Sequence, residues 1–340
     1  QNPTLEKVNR CAMVCLGAVF APITISLYAL GEGMHLCGNA INRTPYTYWK
    51  GNAEEKLDDQ NIRCMTLNTC MLWGGLPIPL GGLRPPGERI DQLAKMIENQ
   101  NPDILFLQET SFPASVELFD KLKDQYAHCF TRIGPNPMRM ESGLVVFSKV
   151  PIKSADFLPF PDQNGIKRGA FFIETPSQYF VTTHMEAGDA KDERKRQFDL
   201  ITHRIEENKK EKNLDSFILG DLNIDSFHSD EEYQSTIGSN PKIYDPRCAQ
   251  NVGSESCTNV LVNHMRGKEV YSNLSEMVDY ALFHGDRSRL TLKTKLVDTY
   301  SVDDPYDAIT DHKGLVLDIK RKKTKDFTRI RSLLGRVLHI

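Results

Sequence analysis

The sequence predicts an α/β fold, a single domain over about residues 62–320 with more strands than a simple parallel sheet accommodates. Short apolar runs rich in β-branched and aromatic residues alternate with stretches whose apolar residues recur at i, i+3 or i+4. These apolar runs also stop, again and again, on an acid, an amide or a histidine. Open α/β proteins gather their sites in that way, at one edge of a sheet.

Taken in chain order, residues 11–30 carry no charge over 20 positions, enough for a helix to cross a bilayer. Lys7 and Arg10 before the run and Glu32 after it suit an N-terminus on the cytoplasmic side. Gly17 and Pro22 leave a re-entrant or interfacial segment open, and a cleaved signal peptide or a buried helix are further readings. Residues 1–35 are thus expected to form an N-terminal hydrophobic helix at a membrane, and 36–61 a polar connector. Strands are expected at Ile62–Leu67, Ile104–Leu107, Gly143–Phe147, Ala170–Glu174, Tyr179–Thr183, Phe217–Leu219, Val278–Phe283 and Gly314–Ile319. Helices are expected at Arg89–Asn99, Ser115–Gln125 and Arg194–Asn208, with Pro85-Pro86 as a stop before the first and Asn101-Pro102 ending it. Residues 226–276 are rich in turn formers and read as long loops. Residues 321–340 form a basic tail in which Phe327, Ile330, Leu333, Leu334, Val337 and Leu338 share one helical face, suited to an anionic membrane surface.

The net charge is −3, but residues 320–340 hold eight Lys/Arg against one Asp, which leaves the other 319 residues at −10. So acidic a body argues against holding long nucleic acid by its phosphates, although a bound cation would reverse the local sign. The eight cysteines show no CxxC or zinc-type spacing, and Cys248 and Cys257 are the pair placed for a loop disulfide, with two free thiols as the alternative.

IRCMTLN ends on Asn68, ILFLQE on Glu109, YFVTTH on His184, and FILGDLN on Asp221 and Asn223. Alternation along an extended chain would point Asp221 and Asn223 the same way, with Leu222 toward the core. Alone, each polar residue has a bland explanation as a turn, cap or exposed acid. Together the ordered set LN68, QE109T, SGLVVFSK149, TH184, GD221LN223, VD279Y and TD311H312 resembles the endonuclease/exonuclease/phosphatase superfamily, the fold of DNase I. The resemblance implies a four-layer α/β sandwich, two mixed β-sheets face to face with helices outside, and a metal-dependent phosphodiesterase.

It also implies roles. Asn68, Glu109 and Asp311 would hold or support Mg²⁺, with Mn²⁺ able to substitute, through oxygen ligands. His312, oriented by Asp279, would take a proton from the attacking water. His184 and Asn223 would donate to the phosphorus centre, and Asp221 would position or deprotonate the water. Whether Asp221 or His312 is the principal base stays open.

Within the superfamily LNTCMLWGGLP followed by ERIDQLAKMI, GLVVFSKVPI, and TTHMEAG followed by DERKRQFDLI resemble neutral sphingomyelinases. Glu186 departs from that group, which often has His or Gln there, and Thr310 replaces its usual Ser. The implied substrate is a phospholipid or sphingolipid at a membrane surface, sphingomyelin first. DNase I-like or abasic-site endonucleases and phosphoinositide phosphatases are the alternatives, with nucleic acid the less favoured partner. The loop of Trp73, Leu76, Ile78, Pro79 and Leu80 is read either as dipping into the lipid interface or as packed core.

Overall fold

Hydrophobic periodicity resolves into two stacked sheets. A computed structural model of the chain describes residues 20–31, 33–34, 37–38, 41, 44–58, 61–72, 74–75, 83–134, 141–161, 168–246, 276–299 and 308–322. The basic tail, the Cys248–Cys257 pair and the loop from Trp73 with 76–80 therefore lie outside the described residues, as do residues 1–19 of the N-terminal segment.

Among the described residues thirteen strands form the sheets. The seven-stranded sheet takes β1 (Thr47–Lys50), β2 (Asn61–Asn68), β3 (Ile104–Gln108), β4 (His128–Thr131), β5 (Val145–Ser148), β12 (Leu290–Val297) and β13 (Gly314–Arg321), in the order β1-β4-β5-β3-β2-β13-β12. The six-stranded sheet takes β6 (Ser154–Pro159), β7 (Gly169–Glu174), β8 (Gln178–His184), β9 (Asp215–Asp221), β10 (Ile243–Tyr244) and β11 (Asp279–His284), in the order β10-β11-β9-β8-β7-β6. Each sheet has one parallel pair, β2 with β3 and β8 with β9, and its other pairings are antiparallel.

A helix bridges each parallel pair, because parallel neighbours need a crossover. Helix α2 (Pro86–Gln100) joins β2 to β3, and α4 (Lys191–Lys212) joins β8 to β9. Asn101 and Asn213 close these helices in the left-handed region (φ 49° and 51°), which Asn tolerates better than most residues. Ile90, Leu93, Ala94 and Ile97 of α2, with Leu118 and Leu122 of α3 (Ala114–Leu122), cover the outer face of the larger sheet. Phe198, Ile201 and Ile205 of α4 cover the outer face of the other. Between the sheets the core is aromatic: Phe106, Phe180, Phe217 and Phe283 form a chain with ring centroids 5.1–5.9 Å apart. Each such buried ring contributes roughly 1.5–3 kcal/mol by area burial. The result is the expected four layers.

The structure corrects several expectations. Residues 47–50, assigned to the connector, form β1 of the larger sheet. The strands that sequence did not show include all four sheet edges, β1, β12, β10 and β6. An edge strand is paired on one side only and carries mixed burial, so no continuous apolar run marks it; β12 alternates buried, intermediate and exposed positions. Pro86 is the first residue of α2 and not a stop before it, since a proline at that position loses no helical hydrogen bond. Residues 226–246 are not all loop: α5 (Asp230–Tyr233) and β10 lie there.

Residues 20–31 form helix α1, on which Phe20, Ile23, Ile25, Leu27, Tyr28 and Leu30 are all about half or more exposed (49–65%). No helix among the described residues is long and apolar enough to cross a membrane.

The approach of β8 to β9 depends on Gly220. Its φ is 157°, and a Cβ there would lie 2.1 Å from the Thr183 carbonyl oxygen, with Asp221 next in the strand. Gly220→Ala should therefore cost roughly 1–3 kcal/mol through overpacking and lower the thermal midpoint. An unchanged midpoint would show that the two strands have room to part.

Candidate active site

The parallel pairs place their carboxyl ends at the same edge of the sandwich. Asn68 ends β2, Glu109 directly follows β3, His184 ends β8 and Asp221 ends β9. Register completes the group: Asp279, the first residue of β11, lies opposite Asp221, and His312 stands two residues before β13. Asn68, Glu109, Asp311 and His312 come from the seven-stranded sheet, and His184, Asp221, Asn223 and Asp279 from the six-stranded one.

Two hydrogen-bonded links join the halves. The buried Asn68 amide donates to Glu109 Oε1 (2.9 Å) and, across the sheets, to Asp221 Oδ2 (3.0 Å). His312 Nδ1 pairs with Asp279 Oδ2 at 2.7 Å, also across the sheets. Gln108 adds a third link below them, donating to Thr182 Oγ1 (3.1 Å) and exchanging a hydrogen bond with Thr66. His184 Nε2 faces Asp221 Oδ2 at 3.6 Å and Glu109 Oε1 at 3.9 Å, and His312 Nε2 lies 3.9 Å from Asp221 Oδ2. Thr310 Oγ1 donates to the Asn68 carbonyl (2.7 Å) and Asp311 Oδ1 (3.2 Å), which seats the last loop beside the first.

Asn223 reaches the site by a different route from the one expected. Its φ is 52°, so the chain has left the strand, and its N–H closes a turn on Asp221 Oδ1 (2.9 Å). Its amide then donates to the Met185 carbonyl (3.0 Å), while Leu222 is fully buried in the outer core. The turn, and not strand alternation, brings Asp221 and Asn223 together.

Burial sets the electrostatics, and the gathered charges modify it. Burial and the charge of Asp279 push the Asp221 carboxyl up to about 7, against the pull of His312 and the hydrogen bonds from Asn68 and Asn223. Burial also raises Glu109, with Asp311 adding to the rise and Asn68 and His312 opposing it. Burial lowers His184 well below the usual histidine range, helped by Arg168 and His312. Burial works against charge on His312 too, but the charge and hydrogen bond of Asp279, with Asp311 and Asp221 behind, hold it well above that range.

A divalent cation fits this chemistry. The available donors are hard oxygens, and burial together with neighbouring acids disfavours the charge of Glu109 and Asp221, which a cation would favour. Asp221, Asp279 and His312 also offer ligand atoms within 4.8 Å of one another. A cation among those three would have to compete for the His312–Asp279 pair, so the partly exposed side at Glu109 and Asp311 suits it better. Asn68 presents its NH₂ to Glu109 and its oxygen to the Cys70 N–H (3.0 Å), so to act as a ligand it would have to turn its amide over.

Three residues that matter here were not singled out from sequence. Arg168 donates to the carbonyls of His184 (3.2 Å) and Met185 (2.6 Å) and pairs with Glu186 (3.3 Å). Arg89 is fully buried behind Asn68, and Arg194 is buried beside the loop after His184. The signal for both arginines was a charged residue in the first turn of a helix, on the face otherwise buried.

A family model described as the Endonuclease/Exonuclease/phosphatase family matches residues 65–312. Among solved structures, TDP2 of D. rerio complexed with single strand DNA product is 18% identical with a TM-score of 0.58, covering 77% of this chain and 100% of that one. SmcL is 20% identical with a TM-score of 0.58 over 76% of this chain and 98% of its own. Sphingomyelinase C from Streptomyces griseocarneus is 19% identical with a TM-score of 0.55 over 76% and 99%. At these identities the structures share the fold. Among curated proteins no sequence match was found.

The shifts combine into a stability prediction. Asp221, Glu109 and His312 are raised by folding, so above the ordinary range of each the native state holds a proton that the unfolded chain has lost. That contribution to stability disappears as pH rises through the folded values. His184 is lowered and acts oppositely, but most of its contribution is already present at about pH 6.5, the ordinary imidazole value, and it adds little above that. In EDTA the thermal midpoint should therefore fall from pH 6.5 to 8.5, and Mg²⁺ should restore most at the upper end. A midpoint that rises over that window would contradict the shifts.

Proposed function

The chain belongs to the endonuclease/exonuclease/phosphatase family, and we propose that it is a Mg²⁺-dependent phosphodiesterase of the neutral sphingomyelinase type, releasing phosphocholine from sphingomyelin and leaving ceramide. The observation that carries the lipid reading is helix α1, whose apolar side chains face solvent while Tyr28 rests on Phe112 (ring centroids 6.1 Å), three residues after Glu109. An exposed apolar helix at the rim of a polar site suits a substrate held in a bilayer. The acidic body and the resemblance of TTHMEAG and ERIDQLAKMI to sphingomyelinases support the same reading. The enzyme would work at a membrane surface, with α1 and the basic tail as its attachments. The fold shared with a TDP2 that carries single-strand DNA product keeps nucleic acid as the second reading.

The geometry is consistent with a mechanism under this reading. Glu109, with Asp311 and a turned Asn68 beside it, would hold Mg²⁺, which when bound neutralises a phosphate oxygen and charge developing on the leaving oxygen. Asp221 takes the proton of the attacking water, since its burial and the neighbouring Asp279 favour the protonated carboxyl. Asp279 fixes the His312 ring and favours its imidazolium, which donates from Nε2 to the phosphate. His184, kept neutral, and the Asn223 amide donate to the remaining oxygens. The water oxygen bonds to phosphorus as the bond to the ceramide oxygen breaks in line; the departing oxygen takes its proton from solvent water, and Asp221 afterwards returns its own proton to solvent. No covalent intermediate is required.

Phosphocholine release from sphingomyelin in mixed micelles, run beside single-stranded DNA, an abasic duplex and a phosphoinositide, tests the proposal. Release is expected to need Mg²⁺ and to fall by about 10²–10⁴-fold in Asp221→Asn and His312→Ala. Replacing Ile23, Leu27 and Leu30 together by Ser should weaken vesicle binding and leave turnover of a soluble phosphodiester intact. Cleavage of DNA without phosphocholine release would refute the lipid reading, and full activity in excess EDTA would refute the metal.

A further inference from the structure

Arg89 is buried completely, yet no carboxylate among the described residues lies within ion-pair distance of its guanidinium. Its donors go to backbone carbonyls instead. Nε donates to Arg84 (2.6 Å), Nη2 to Cys70 (2.7 Å), and Nη1 to both Thr69 (3.3 Å) and Ile309. Three chain segments meet on one planar group: the approach to α2, the loop leaving Asn68, and the loop leading into Thr310, Asp311 and His312. Burying an arginine without a carboxylate is costly, and satisfying it with four carbonyls is a demanding arrangement for packing alone.

The other half of the molecule repeats the device. Arg194 is the fourth residue of α4, as Arg89 is the fourth of α2. It donates to the carbonyls of Glu186 (2.9 Å) and Gly188 (2.7 Å), in the loop leaving His184. There the charge is balanced by a buried two-pronged pair with Glu232 (2.6 and 3.0 Å). Arg89 differs in tying together two loops that are 240 residues apart in sequence and that carry residues of the same site.

We propose that Arg89 is a positioning residue, a guanidinium clamp that fixes the loop after Asn68 against the loop delivering Asp311 and His312. The proposal rests on the hydrolytic reading above for its catalytic consequence, but not for the clamp itself. A planar five-donor fork can serve four carbonyls at once, and a lysine ammonium cannot. Losing the clamp lets the two loops shift relative to each other, and a displacement near 1 Å costs on the order of 100-fold in rate.

The test compares the full chain with Arg89→Lys, Arg89→Met and Leu93→Val; the last weakens the same helix from its apolar face, away from both loops. Amide hydrogen exchange reads the clamp directly, because Thr69, Met71 and Ile309 all donate their N–H groups to backbone carbonyls. Both arginine variants should lose protection in residues 69–71 and 309–312 together, and Leu93→Val should not, although its thermal midpoint falls. With bis(4-nitrophenyl) phosphate, kcat in Arg89→Lys should drop on the order of 100-fold with KM nearly unchanged, at temperatures where the variant is folded. Wild-type protection of both loops in the arginine variants would overturn the clamp. So would loss of protection with wild-type kcat. A wild-type chain that hydrolyses no phosphodiester would remove the hydrolytic reading, while the exchange result would still decide the clamp.

Discussion

Asn68 holds two carboxylates from two different sheets with one amide, Glu109 at 2.9 Å and Asp221 at 3.0 Å. Everything at this edge of the sandwich answers to the problem that those hydrogen bonds only partly solve. Four acids and two histidines are brought close in a largely buried place, where burial works first against the charges of Asp221 and Glu109 and the acids also repel. The protein responds by pushing Asp221 up to about 7, raising Glu109, and holding His312 charged against Asp279. Each response stores an unfavourable interaction that a divalent cation would relieve. Such a cluster is a poor way to stabilise a fold and a good way to hold a metal and a phosphate.

The sandwich supplies the convergence. Each sheet contributes one parallel pair bridged by a helix, and parallel strands end at the same edge. Between the sheets the phenylalanine chain keeps them in contact below the site, and the Gln108–Thr182 bond marks the change from apolar to polar packing. The first-turn arginines Arg89 and Arg194 reach from each bridging helix to the loop that leaves the preceding strand. Both helices thereby contribute to the site although neither carries a candidate catalytic residue.

The central strands and the candidate site were legible in sequence together, for one reason: both were written in the same apolar runs ending on polar residues. Asn68, Glu109, His184 and Asp221 are where those runs predicted, at strand ends. Asp279 and His312 required the resemblance to a known family, because a single acid before YALF or a Thr-Asp-His turn has no period of its own. The edge strands were missed because half-exposed strands such as β6 and β12 have no uniform run. Asn223 lies beside Asp221, but through a turn and not through strand alternation, as its left-handed φ shows. Arg168 and Arg89 act through carbonyl oxygens of other loops, and a backbone acceptor leaves no mark in the sequence.

In the proposed reading Glu109 is the centre of a single cation site at this acidic edge. Titration of Mn²⁺ into the full chain at pH 7.5, followed by calorimetry in buffers of different ionisation enthalpy, tests it most directly. One ion per chain should bind with release of protons, because a cation lowers the raised Asp221 and His312, and Glu109→Gln should abolish binding without unfolding the protein. Unaltered binding in Glu109→Gln, or uptake with no proton release, would contradict the account.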